Sequence, residues 1–141
     1  KKDLGNYVKL KKESLKEYSR IAGTRITLKD NQIKKELFET ISNPKRIMLF
    51  IGDGMLKGYI LGSIMVNEYQ NYGYIDDIFI SVDFRKKGFA MLLIREFIKI
   101  LKKRKIKKIK LGVNIRNKKA IKLYEKLGFE KYHYEMEKQI R

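Results

Sequence analysis

Residues 74–129 read YIDDIFISVDFRKKGFAMLLIREFIKILKKRKIKKIKLGVNIRNKKAIKLYEKLGF. The first nine, Tyr74–Val82, are rich in β-branched and aromatic residues around Asp76 and Asp77, which predicts a strand. A basic turn holding Gly88 then feeds a helix from about Gly88 to Lys103. Ala90, Leu93, Ile94, Phe97, Ile98 and Leu101 make its apolar stripe, and Arg95, Lys99, Lys102 and Lys103 face outward. Lys108–Val113 alternates charged and apolar residues and predicts a second strand. Asn117 caps a second helix, with Ala120, Leu123, Tyr124 and Leu127 along one face and Gly128 at its C-terminal end. A helix of this length between two strands is the usual crossover of a parallel pair.

The turn Arg85-Lys86-Lys87-Gly88-Phe89-Ala90 has the makings of an anion site. Backbone amides at a helix start lack partners, a glycine lets a ligand approach the backbone, and the helix dipole favours negative charge. Arg85 and Lys87 add formal positive charge. The turn lacks the terminal GK[ST] of a Walker loop and is not a GxGxxG dinucleotide fingerprint. Tyr124 is either a core residue or, beside a cofactor's sulfur, a general acid able to protonate a leaving thiolate. Asn117 is a helix cap, a ligand contact, or both.

Upstream, Tyr7–Leu10 (YVKL) alternates enough to predict a short edge strand. Ser14 stands three residues before Glu17, a capping-box spacing for a helix over Ser14–Ile21 that Gly23 ends. Thr24–Leu28 is an extension or a loop. Asp30 caps a helix reaching Ile41, with Ile33, Leu37 and Ile41 on one side, and Pro44 stops it. Arg46–Ile51 and Leu56–Val66, joined by Gly52, Asp53 and Gly54, predict an antiparallel hairpin. Gly58 and Gly62 mark a bulge or weaken the strand. Asn71 and Gly73 belong to the following turn. The terminal YHYEME (132–137) alternates and predicts a last strand. No repeat or linker divides the chain, so residues 1–141 are expected to form one domain.

Composition narrows the chemistry. The chain has 34 Lys and Arg against 16 Asp and Glu, a net charge of +18, with 43% hydrophobic residues and no cysteine. This points to anionic partners: nucleic acid, membrane phosphate or a polyphosphate cofactor. A lysine-rich composition that merely solvates the surface gives the same count. Without cysteine there is no disulfide or thiolate chemistry, which accords with a cytoplasmic setting. The single histidine, His133, on the terminal strand, argues against a metal site. No apolar run is long enough for a transmembrane helix, and the first residues lack a signal peptide's apolar core.

Taken together, the two turns resemble the GNAT family of N-acetyltransferases. The family's R/Q-x-x-G-x-G/A is matched by Arg85-Lys86-Lys87-Gly88-Phe89-Ala90, with Ala90 in place of the commoner second glycine. Its N-x-x-A-x-x-L-Y-x-x-x-G-F is matched by NKKAIKLYEKLGF (117–129). The resemblance extends over about Gly58–Phe129 and is nearest in style to the enzymes that acetylate protein N-termini, the ribosomal-protein type. It implies an α/β (α+β) fold: a mixed, largely antiparallel sheet of six or seven strands, with helices on both faces. The strands at 74–82 and 108–113 splay apart. Acetyl-CoA is the implied cofactor. The amides of Lys86, Lys87, Gly88, Phe89 and Ala90 hold its pyrophosphate, and Arg85 lines the same pocket. The pantetheine lies in the splay along Ile78, Ile80 and Val82. The amide of Ile80 polarises the thioester carbonyl, Asn117 contacts the pantetheine or caps its helix, and Tyr124 protonates the coenzyme A thiolate.

The resemblance also implies direct attack by an amine, which must first shed a proton. Asp76 and Asp77, read as pointing to opposite faces of the sheet, are the candidate catalytic bases. Asp77 is preferred because it stands where relatives carry a glutamate facing the substrate, with a water between its short side chain and the amine. Its other role is to bind the incoming ammonium without taking a proton. Glu68 is a weaker candidate. A protein at +18 disfavours polyamine or aminoglycoside-like acceptors and leaves a protein N-terminus or lysine. Thirteen residues follow Gly128, so a substrate-covering hairpin is expected to be short or completed by a partner subunit, in a monomer or homodimer. The other class of function is a non-catalytic nucleic-acid module. It would use the basic run of Lys99, Lys102, Lys103, Arg104, Lys105, Lys107, Lys108 and Lys110, with tyrosines for stacking. Such a module needs no combined glycine turn, Asn117 and Tyr124. The same basic run also serves an enzyme drawn to a ribosome or other nucleoprotein.

Overall fold

The computed structural model describes residues 2–141. Its elements are α1 (Lys2–Ala22), α2 (Asp30–Ser42), β1 (Arg46–Gly52), β2 (Leu56–Val66), β3 (Asn71–Ile80), a 3-10 turn (Val82–Phe84), α3 (Phe89–Lys103), β4 (Ile109–Leu111) and α4 (Lys118–Lys126). The sheet runs β1-β2-β3-β4. The first three strands are antiparallel and β4 is parallel to β3. Helices cover both faces. Helices α1 and α2 enclose Tyr7, Val8, Leu10, Ile33 and Leu37 with Tyr59 and Phe79 of the sheet. On the other face Leu93, Ile94, Phe97 and Leu101 of α3, with Tyr124 of α4, pack on Ile47, Ile60, Ile75 and Ile80.

Among the described residues the sheet has four strands, not six or seven, and two of the missing strands have identifiable fates. Tyr7–Leu10 lies inside α1, where Tyr7, Leu10, Lys11 and Ser14 are buried at helical spacing. The alternation that suggested a strand lasts four residues, and the helical period governs the whole element. Ser14 is consequently a buried mid-helix residue and not a cap. The terminal segment forms no strand: Tyr132, Tyr134 and Met136 are exposed and no ladder bonds reach them. β4 is shorter than expected, three residues instead of 108–113.

Smaller departures have equally local causes. In α2 the buried positions are Ile33, Leu37 and Thr40, while Ile41 turns to solvent. Asp30 is the first helical residue rather than the cap; the Gln32 side chain accepts from the amide of Lys29 at 2.8 Å. Thr24–Leu28 is a loop, anchored where the Ile26 amide donates to Ser19 Oγ at 2.9 Å. The turn before β3 is Asn67–Gln70, closed by Asn67 Oδ1 accepting from the amides of Tyr69 and Gln70. Asn71 and Gly73 thus belong to the strand.

One irregularity positions the site. Leu61 faces Asp77 while Gly62 faces Ile75, so Asp76 is the extra residue of a β-bulge. Ile75 and Ile78 both pack on the α3 side in consequence. Asp77 reaches Lys11 of α1. Asp76 reaches Ser63, whose neighbour Gly62 faces Phe97 of α3, so Ser63 and Asp76 lie on the opposite, α1 side. The two aspartates therefore share one face, because the bulge cancels the strand's alternation between them. Gly62 does not itself bulge out. It gives the Phe97 ring room to lie on the sheet, since a Cβ there would overlap the ring.

Candidate active site

β3 continues past the point where β4 stops. The parallel ladder pairs Gly73, Tyr74 and Ile75 with Ile109, Lys110 and Leu111, and ends there. On its other side β3 remains bonded to β2, with the Ser81 amide donating to Lys57 O at 2.9 Å. Successive amides of a strand point to opposite sides. The Ser81 bond therefore turns the amides of Ile78 and Ile80 away from β2, into the gap that β4 leaves open. The ladder to β4 therefore ends where the splay was expected, and among the described residues these two amides have no backbone partner. The amide of Val82 is not part of this row. It lies in the 3-10 turn and donates to Glu13 Oε1 of α1 at 3.2 Å; Ser81 Oγ donates to the same carboxylate.

Below the gap lies the basic turn 85–90, whose backbone could cradle an anion. Lys86 and Gly88 both have positive φ, 61° and 78°, and α3 starts at Phe89. Alternating backbone conformations of this kind turn consecutive amides inward to a shared concavity. Among the described residues the amides of Lys86, Lys87 and Gly88 meet no acceptor, and those of Phe89 and Ala90 belong to the first helical turn, where amides lack intrahelical partners. A Cβ added at Gly88 would meet only open space, the room an anion needs. Arg85 braces this turn from behind. Its Nε donates to Ile80 O at 2.9 Å and its Nη2 to Glu17 Oε2 at 2.5 Å. Its guanidinium is therefore committed to the fold; among the described residues Lys86 and Lys87 have no carboxylate partner, and Lys87 Nζ lies 5.7 Å from the centre of the Phe84 ring. Lys57 stands nearby over the Phe84 and Phe89 rings.

Asp77 sits where β3 enters the open segment. Its Oδ2 accepts from Lys11 Nζ and from Tyr59 Oη, both at 2.7 Å. Lys11 and Tyr59 are buried, 7% and 0% exposed. Burial, with Asp77 next in importance, pushes the Tyr59 phenol far above its ordinary value, so it remains a donor. Asp76 is occupied elsewhere, accepting from Ser63 Oγ at 2.5 Å and lying 3.9 Å from Arg46 Nη2. The pair of aspartates is therefore not a pair of equivalent bases.

Tyr124 is buried on α4 and packs edge-on against Phe129 at 5.7 Å. Burial first, and the charge of Asp77 second, push its phenol up to about 12. It holds its proton throughout the neutral range and, among the described residues, spends its hydroxyl on no hydrogen bond. Asn117 caps α4, its Oδ1 accepting from the Ala120 amide at 3.2 Å. The structure thus gathers Asp77, the amides of Ile78 and Ile80, the 86–90 turn and Tyr124 around one gap. Glu68 lies at the exposed β2–β3 turn and His133 on the exposed tail, both apart from it. Two open depressions of about 330 and 410 Å³, lined in part by Arg46 with Ile100 and by Gln70 with Lys107, also lie away from it.

Sequence reasoning missed Lys11, Tyr59, Glu13 and Glu17. Lys11 stands in KLKKESLKE among other lysines and differs from them only in helical phase with Tyr7 and Ser14. That phase is a usable signal once the helix is extended back to Lys2.

A parallel strand pair whose ladder ends beside outward-turned amides and leads to a basic, glycine-bearing turn could receive an elongated anionic ligand. The chain belongs to the acetyltransferase (GNAT) family, whose model matches residues 12–129. Members of that family are acyltransferases that use acetyl-CoA. MJ1207, an uncharacterised N-acetyltransferase of Methanocaldococcus jannaschii, is 40% identical over 63 residues. The match takes in 45% of this chain and 28% of that protein, so the chain spans less than a third of the relative's length. Among solved structures, a tetramutant of BH1408 from Bacillus halodurans has a TM-score of 0.84 at 18% identity, covering 99% of this chain and 95% of that one. AAC(6')-Iy with a coenzyme A bisubstrate analogue has a TM-score of 0.80 at 19% identity, covering 100% and 93%. At these identities the two structures show a shared fold. No helix among the described residues is long and apolar enough to cross a membrane.

Proposed function

We propose that this protein transfers the acetyl group of acetyl-CoA by direct attack to a primary amine of a protein, at an N-terminus or a lysine. The observation that carries the reading is the row of free amides from Ile78 and Ile80 down to Lys86–Gly88. The 86–90 amides would hold the pyrophosphate, with Lys86 and Lys87 supplying charge. Ile78 would bind the pantetheine arm and Ile80 the thioester oxygen, as a preorganised donor for developing negative charge. Asn117, fixed by its capping bond, would present its amide nitrogen to the same arm. Acetyl-CoA supplies an activated acyl group; Tyr124 would give its proton to the departing sulfur, and Asp77 would steady the incoming amine.

The likeness to aminoglycoside enzymes concerns the fold, and the +18 charge of this chain opposes a polycationic acceptor. The basic run from Lys99 to Lys110 would act as an accessory attraction to a ribosome or other nucleoprotein. The test is calorimetric titration of acetyl-CoA into the wild-type protein and into Gly88→Trp, whose side chain would fill the cradle. Micromolar binding lost in a variant with an unchanged circular dichroism spectrum supports the reading. Failure of the wild type to bind overturns it.

A further inference from the structure

Lys11 is a buried lysine in a chain whose lysines are mostly at the surface. Its ammonium lies 2.7 Å from the carboxylate of Asp77, at the start of the unpaired segment of β3, and 5.8 Å from the centre of the Tyr59 ring. The remaining charged and titratable groups around the pair are few. Tyr7 of α1 and Tyr59 of β2 are both held protonated, chiefly by burial. The charge of Glu36 on α2 raises the Tyr7 phenol further. Asp76 of β3 is engaged with Ser63 and Arg46. From α4 comes Tyr124, protonated. Further along α1, Glu17 is paired with Arg85, and Glu13 is taken by Ser81 and the Val82 amide. The Asp77 carboxylate is thus neutralised from within the protein.

This arrangement has a consequence for the acceptor, and the inference rests on the acetyl-transfer reading above. A free carboxylate beside an acyl site attracts an ammonium and can relieve it of a proton. Here an ammonium is already in place, and a proton taken by Asp77 would leave Lys11 as a buried cation without its counter-charge. We infer that the Lys11–Asp77 pair makes the site select weakly basic amines, the α-amine of a peptide over the ε-amine of lysine or a polyamine, because the acceptor must arrive already neutral. At pH 7.4 about 30% of an α-amine with pKa near 7.8 is neutral, against about 0.1% of an ε-amine with pKa near 10.4. Availability alone then favours the α-amine by roughly 300-fold. In this role Lys11 is a positioning residue: it acts on the acceptor through Asp77.

The test uses the full chain, acetyl-CoA and two peptides of one sequence, one with a free α-amine and a blocked lysine, the other with these reversed. The expected kcat/KM at pH 7.4 favours the α-amine peptide by about 100-fold or more, and its pH profile rises to a plateau near the pKa of the peptide amine. Calorimetric affinity for the α-amine peptide in the presence of coenzyme A should likewise increase from pH 6.5 to 8.5. In Lys11→Met, Asp77 is released and the α-over-ε ratio should fall about tenfold. The ratio is independent of how much variant is folded, and Lys11→Arg, which keeps the charge, should retain it. Equal or better use of the ε-amine by the wild type overturns this inference alone, and an unchanged ratio in Lys11→Met overturns the role of Lys11. Acetyl-CoA binding without turnover of either peptide overturns the inference while the cofactor site stands. No acetyl-CoA binding overturns both readings.

Discussion

The phenol of Tyr124 is raised to about 12 mainly because its ionised form would be desolvated in the core, with the Asp77 charge adding to the effect. A tyrosine with a raised pKa keeps its proton below that value, so loss of the acid should not limit the reaction between pH 6 and 10. Tyr124→Phe removes the proton and little volume. Its kcat should fall by about 10²-fold or more, the usual scale for a general acid, while calorimetric affinity for acetyl-CoA changes little. A variant with undiminished kcat would assign Tyr124 to packing, the role its Phe129 contact already gives it. The same shift has a stability side. The preference for the neutral phenol is fully present below pH 10 and is lost as pH rises through about 12.

Two elements carry the site's geometry, and each has a point of weakness. Helix α4 is short, nine residues, so its cap matters. Asn117→Ala leaves the Ala120 amide without its partner and should cost about 1 kcal/mol, read as a lower urea midpoint with an unchanged m-value. Helix α3 lies on the sheet through Phe97 and depends on the missing side chain at Gly62. Gly62→Ala sets a methyl against the Phe97 ring and within 2.9 Å of Tyr74 O, and should destabilise by about 1–3 kcal/mol. Helices α3 and α4, and the three antiparallel strands, were legible because their periodicity persists over many residues and their ends carry Gly88, Asn117 and Gly128. YVKL and YHYEME were misread because four to six residues of alternation fit a strand, a helix face or an exposed tail equally well. Gly62 marked the level of the bulge, but that Asp76 on the facing strand is its extra residue was beyond the sequence, since register belongs to a pair of strands and not to either one. Lys11 was hidden in the same way, its partner lying 66 positions away.

For the whole molecule, the question is how much of the +18 charge a bound anion feels. Around the open segment of β3 three basic groups are matched: Lys11 with Asp77, Lys57 with Asp53, Arg85 with Glu17. Unmatched charge remains at Lys86 and Lys87 on the turn, and at the far end of α3 from Lys102 through Lys108. The fifteen residues of α3 separate these groups by about 22 Å at 1.5 Å per residue. Screening decides between them, since the Debye length is about 10 Å at 0.1 M salt and about 30 Å at 0.01 M. The turn lysines should therefore govern acetyl-CoA affinity at ordinary salt, and the distant cluster should contribute only near 0.01 M. Titrating acetyl-CoA by calorimetry from 0.01 to 0.5 M salt should show affinity falling several-fold. Lys86→Ala with Lys87→Ala should flatten the dependence above 0.1 M, whereas Lys102→Ala with Lys105→Ala should change it only at the low end. Equal effects of the two double variants at 0.2 M salt would mean that the protein's overall field, and not the cradle, attracts the cofactor. The basic surface would then belong to cofactor capture rather than to a nucleoprotein partner.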